Sequence, residues 1–341
     1  MPSLLNLPRE IRDEILWLAL HHERTPPAGR EQHGEEERVV IKNVNTSCLM
    51  NGKKVFYEPR PALPTAVPLL LANRQLHAEV QEAVARLQRE EGRHCKVDVM
   101  FLEEKELWVT SLWTPACFRV WDQAEVTIRM VGVIPDEDLP VRKTLWNDST
   151  GQGDFCIYIH SFQYALDCFL QAGPTGTAPG TGAEEGGAMV DRHMVVKHLV
   201  LNFITPTTDD QHPLASPRER CRCLSARRGP IPAEYNLYRK KRMRPEWVAD
   251  TLCLLLRYMN AGASFAGTEH EEKYASLMFE RVGFVTVQID GRPYRELDVG
   301  AHVKRRESYV DADTRMYEED GVLHPVWIKD VMAARAAAGL G

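Results

Sequence analysis

The chain has 341 residues, 44% hydrophobic, with 7 Trp and a net charge of −6. That suffices for a core and for two domains, while the acidic balance argues against a surface given over to nucleic acid. No apolar run reaches the roughly 18 residues of a membrane span, and the 8 Cys, with no basic-then-apolar leader before them, are expected to be free thiols in a reducing compartment.

The first element is a helix over Pro8 to Leu20. Leu7, Ile11, Ile15 and Leu18 recur at four, four and three residues, which stacks them on one helical face. Pro8 suits the first turn, and Glu10 sits near the positive end of the helix dipole. Leu16, Trp17 and Leu20 widen the apolar arc, so the helix must be covered by the rest of the chain or by a partner. His21 to Glu37 is polar and rich in Pro, Gly and Glu, and reads as a loop. Two short strands, Val39–Ile41 and Lys53–Tyr57, flank Asn51-Gly52, a strong hairpin signal. Four prolines (Pro59, Pro61, Pro64, Pro68) lead into a second helix with Leu76, Val80, Ala83, Val84 and Leu87 on its apolar face, ended by Gly92. The first unit, residues 1–92, is therefore helix, hairpin, helix. Its hairpin lies against the helices or joins the sheet that follows.

Leu7-Pro8, then Glu10-Ile11-Arg12 and Ile15, resembles the opening of an F-box. It is most similar to fungal F-box-like proteins and their two-EXR-motif relatives. A second segment of that group is matched by Leu70, Leu71, Asn73, Arg74, Gln75, Ala78 and Glu79. Here more than forty residues separate the two segments, where an F-box runs its helices together. The resemblance implies a protein partner docked on Leu7, Pro8, Ile11, Ile15 and Leu18, namely the Skp-type linker subunit of a cullin ubiquitin ligase. The alternative is that both helices pack on the following domain.

Residues 93–341 read as an α+β domain with a mixed sheet. Val97–Phe101 and Leu107–Val109 form a pair of strands, and Ala124–Val131 alternates between an apolar and a charged face. Phe155–Ala172 is a helix with Ile159, Phe162, Leu166 and Phe169 toward the core. Val195–Phe203 is a buried strand, so a right-handed β–α–β crossover is expected. The tracts near 173–187 and 205–226 have little to bury and are expected to be disordered. Pro245 opens a helix anchored by Trp247, Leu252, Leu255 and Leu256. Another spans about Glu269 to Arg281, with Gly283 as its C-cap. Phe284–Ile289, Asp290-Gly291 and Tyr294–Leu297 form a second hairpin, and a helix from His324 to about Ala338 closes the chain.

The sequence carries no G-x-S-x-G, G-x-x-x-x-G-K-[ST] or H-E-x-x-H pattern. Gly151-Gln152-Gly153 has too few glycines for a dinucleotide loop. Cys221 and Cys223 with His212 lack the second thiolate pair of a zinc site. His193 and His198 flank a strand and read as hydrogen-bonded structural residues. No catalytic, metal or cofactor site is expected. One charge pattern stands out: Arg227-Arg228, a ten-residue spacer, then Arg239-Lys240-Lys241-Arg242. It resembles a bipartite nuclear-import signal, and a solvated basic loop is the alternative. The function read from the sequence is a non-enzymatic interaction protein, cytoplasmic or nuclear. The second reading is a small soluble enzyme of unrecognised chemistry.

Overall fold

The computed structural model describes residues 4–30, 38–40, 55–58, 63–103, 106–132, 157–174, 192–206, 244–258, 277–305 and 324–340. A single turn of 3-10 helix, Leu4–Asn6, precedes α1, Arg9–Leu20. Then come β1 (Val39–Val40), β2 (Val55–Tyr57), α2 (Ala66–Ala72) and α3 (Arg74–Glu90). The order continues with β3 (His94–Leu102), β4 (Glu106–Trp113), β5 (Val120–Val131), α4 (Ile157–Ala172) and β6 (Val195–Ile204). It ends with α5 (Pro245–Tyr258), β7 (Val282–Ile289), β8 (Arg292–Asp298) and α6 (His324–Ala337).

The strands form one eight-stranded mixed sheet in the order β1-β2-β4-β3-β5-β6-β7-β8. β3, β5, β6 and β7 run parallel, and β8 returns antiparallel beside β7. The expected crossover is present: β5 and β6 are parallel neighbours with α4 between them in the chain. The hairpin of the first ninety-two residues joins this sheet. β1 pairs antiparallel with β2, and β2 runs parallel to β4 through Val55↔Leu107, Phe56↔Trp108 and Tyr57↔Val109. The Asn51-Gly52 turn itself lies outside the described residues.

Alternation along each strand sorts the side chains onto two faces. Val97, Val99 and Phe101 of β3, Ala124, Val126 and Ile128 of β5, and Leu199, Leu201 and Phe203 of β6 share one face. They belong to one buried cluster with Leu16 and Leu20 of α1, Val80 of α3, Leu166 and Leu170 of α4, Leu252 of α5 and Val331 of α6. The helices therefore cover a single face. On the other, Met100, Leu102 and Trp108 form a small separate cluster flanked by Phe56 and Val131.

Residues 21–30 cross that second face as a strap. Arg24 N–H donates to Leu112 O at 2.9 Å, and Arg129 Nη2 donates to Pro27 O at 2.7 Å. Arg30 reaches Glu106 at 3.2 Å and lies over the Trp108 ring. Beneath the strap, fully buried Asp98 receives both Arg129 Nε and Nη2, at 2.6 and 2.7 Å. Arg38 donates to Val109 O and Thr110 Oγ1 there, and burial pulls its pKa down to about 10. A buried carboxylate is retained at such a position only when its oxygens are paired.

The turns largely follow local chemistry. Asn73 is extended and its side chain accepts from Gln75 N–H at 2.7 Å, capping α3. Asp290 and Gly291 take φ of 51° and 75° in the β7–β8 turn, as the Asp-Gly dipeptide suggests. Gly283 is a correction. It is not a helix cap but the second residue of β7, where a Cβ would stand 2.4 Å from Lys197 O on β6. A carbonyl of the preceding helical turn, residues 277–281, and that of Val282 just after it are taken instead by buried Arg335 of α6. Its Nη1 donates to Phe279 O and Val282 O at 2.6 and 2.7 Å. The glycine serves close strand approach, and a distant arginine ends the helix. The expectation of disorder over 173–187 and 205–226 falls outside the described residues, apart from 173–174 and 205–206.

Candidate functional site

The helix Arg9–Leu20 has two apolar faces with different fates. Leu16 and Leu20 are fully buried, and Arg12, four residues before Leu16, lies on the same side at 8% exposure. Ile11, Ile15 and Leu18 point away at 49%, 38% and 61% exposure. Leu7 is half-buried just before the helix, and Pro8 is exposed at the N-cap with ψ of 149°. So four of the five residues singled out from the sequence face solvent at least in large part. Glu10 and Glu14 are exposed beside them on the same helix.

What holds α1 in this rotation is an ion pair to α3. Arg12 Nε and Nη2 donate to Glu79 Oε2 and Oε1 at 2.9 and 2.6 Å, in the forked geometry that suits guanidinium and carboxylate. Arg12 Nη1 is also donated to the Leu7 carbonyl, which ties the entry of the helix to its first turn. Gln75 Nε2 adds a bond to Glu79 at 3.1 Å. Glu79 is only 3% exposed, and its pKa is held down to about 2, first by the Arg12 hydrogen bonds. Arg9, at the start of α1, meets Glu82 at 2.6 Å; further along, Arg86 lies over the Trp17 ring at 4.5 Å and His21 meets Glu91 at 2.8 Å. From Arg12–Glu79 through Trp17–Arg86 to His21–Glu91 the contacts advance along both helices, so α1 and α3 run side by side in the same direction.

Both members of the Arg12–Glu79 pair lie within the two F-box-like segments, but helical spacing alone does not show their pairing. A signal was there. Each is a charged residue set on the core stripe of its own helix: Arg12 four and eight residues before Leu16 and Leu20, Glu79 between Leu76 and Val80. Two lone opposite charges on two core stripes ask for one another.

The basic clusters Arg227-Arg228 and Arg239-Lys240-Lys241-Arg242 lie outside the described residues, as do Cys221, Cys223 and His212. His198 is half-buried, with Nε2 2.8 Å from Thr286 Oγ1, and burial lowers its pKa. His193 Nδ1 accepts from Arg281 Nη2 at 3.0 Å. Cys168 is buried. Among the described residues no group of three or more His, Cys, Asp or Glu is arranged to hold a metal ion. No helix among them is long and apolar enough to cross a membrane. Neither family models, nor curated proteins, nor solved structures yield a match to this chain.

Proposed function

We propose that this chain is a non-enzymatic interaction protein of the F-box-like kind. In this reading α1 docks into an apolar groove of a Skp-type linker subunit, and the α+β body carries client specificity. One observation supports it above the rest: Ile11, Ile15 and Leu18 stand exposed in a row on a helix whose opposite face is locked down by Leu16, Leu20 and the Arg12–Glu79 pair. Aliphatic side chains at helical spacing on an anchored helix are the usual form of a helix-in-groove contact. Exposed Glu10 and Glu14 favour a groove with a basic rim.

The test is calorimetric titration of the full chain with a purified Skp-type linker, beside variants Ile11→Asp and Leu18→Asp. Saturable binding is expected for the parent and its loss in both variants, with their unfolding midpoints unchanged. Absence of binding by the parent, or equal binding by the variants, overturns the reading. Self-association of the parent, abolished by the same substitutions, assigns the face to a second copy and overturns it equally.

A further inference from the structure

Independently of α1, we infer that the groove between the end of α3 and the start of β5 is a binding site for a phosphate monoester. The groove is open, with a volume of about 510 Å³, inside the few-hundred to thousand cubic ångström range of small-ligand sites. Three arginines line it: Arg89 from the last turn of α3, Arg93 from the turn before β3, and Arg119 from the β4–β5 connection.

The charge balance is what points to an anion. Among the described residues, Asp122 is the one acidic residue in the lining, and it is already saturated. Arg93 Nε and Nη2 grip its two oxygens at 3.0 Å each, the Arg93 backbone N–H adds a bond at 3.0 Å, and Lys197 Nζ lies 2.8 Å away. Those contacts hold the Asp122 carboxyl far below the ordinary carboxylate range, with the Arg93 side chain as the main cause. Asp122 thus neutralises one of two adjacent cations and fixes the Arg93 guanidinium in place. Arg89 and Arg119 are exposed and make no ion pair among the described residues. Among the described residues, the Arg119 side chain hydrogen-bonds to the His193 carbonyl alone, at 3.4 Å. The end of a helix favours one nearby cation and so accounts for Arg89. It does not account for Arg119, which comes from another part of the chain. Three guanidiniums lining one concavity, on a chain of net charge −6, match the tetrahedral, multiply accepting phosphoryl group.

The remaining lining decides the rest of the ligand. Phe118 is 9% exposed and Val120 half-buried, and both contribute apolar surface beside the arginines. A carbon group carried by the phosphate has a floor to rest on, which inorganic phosphate cannot use. Exposed Cys117 also lines the groove and supplies a reporter.

The experiment titrates the full chain with phenyl phosphate, inorganic phosphate and phenol. The readouts are calorimetry and the rate of Cys117 alkylation, read by peptide mass spectrometry. Phenyl phosphate is expected to bind saturably, more tightly than inorganic phosphate, to slow Cys117 alkylation, and to weaken with added salt. Phenol alone should not bind. The double variant Arg89→Ala with Arg119→Ala should lose about tenfold or more in affinity, while Arg74→Ala, at the other end of α3, should not. No saturable binding of phenyl phosphate, binding without Cys117 protection, or equal affinity in the double variant overturns the inference. Because neither arginine touches α1, linker binding in the double variant separates failure here from failure of the docking reading.

Discussion

At the scale of single residues, Arg12 and Glu79 do most to set the surface this protein presents. Each carries a full charge at a site that its helix periodicity assigns to the core. Once both are there, removing one leaves the other buried without its counter-charge, the costly half of the bargain. The pair also has a pH signature. Glu79 is held near 2 in the folded protein, below its ordinary value of 4.5. Its contribution is therefore complete above about pH 5 and is lost as pH falls through the folded value. Replacement by Gln keeps the shape but removes that proton linkage. Chemical denaturation at a series of pH values should show Glu79→Gln less stable than the parent at neutral pH. The gap should narrow steadily between pH 5 and pH 2. A gap independent of pH would mean that the charge of Glu79 contributes nothing.

Among the elements, α1 is the instructive one because it is apolar on two sides. Periodicity marks Leu7, Ile11, Ile15 and Leu18 as a shared face, of which Ile11, Ile15 and Leu18 stand exposed on α1 while Leu7 is half-buried before it, and marks Leu16 and Leu20 as an extension of the arc. Nothing in spacing alone says which side the sheet takes. The core takes the Leu16–Leu20 side, and the consequence is measurable. Leu16→Ala empties a fully enclosed site and should cost about 2–5 kcal/mol in denaturant unfolding. Leu18→Ala, with most of its surface already in water, should stay within about 0.5 kcal/mol of the parent. Equal losses would place both faces in the core and remove the docking surface. The strap of residues 21–30 is the companion feature. It leaves α1 at His21, whose Nδ1 lies 2.7 Å from Trp17 O, and carries the chain onto the opposite face of the sheet. Any displacement of α1 therefore pulls on the cover over Asp98 and Arg129.

For the whole molecule, the sheet is the unit that joins the two halves of the chain. β2 extends it beside β4, Val55 is fully buried, and Leu16, Leu20 and Val80 share one cluster with Val97, Val126 and Leu199. A fragment of residues 93–341 would uncover that apolar surface and leave β4, which carries Trp108, as a bare edge. Expressed alone, it should show no cooperative thermal transition and should aggregate, whereas the full chain should unfold in one sigmoidal step. A fragment that melts cooperatively at the parent's midpoint would mean that the N-terminal helices ride on the sheet without supporting it.

The sequence by itself determined the local grammar. Alternation placed β3 and β5, a buried apolar run placed β6, amphipathic spacing placed α3 and α4, Pro8 opened α1, and Asp290-Gly291 turned the last hairpin. These are short-range effects, set by sterics and by the period of each regular element, so they are legible in a window of a dozen residues. What only the tertiary structure decided were the choices between partners far apart in the chain. The first hairpin could cover the helices or lengthen the sheet, and it lengthened the sheet. Gly283 could cap a helix or admit a neighbouring strand, and Arg335 from α6 took the capping role. Arg12 found Glu79, and Arg89 and Arg119 came to line one groove, because helices and strands from remote positions packed on a common core. Such pairings carry no periodic signal of their own. They are fixed by which apolar faces meet, and the polar groups beside those faces inherit their neighbours.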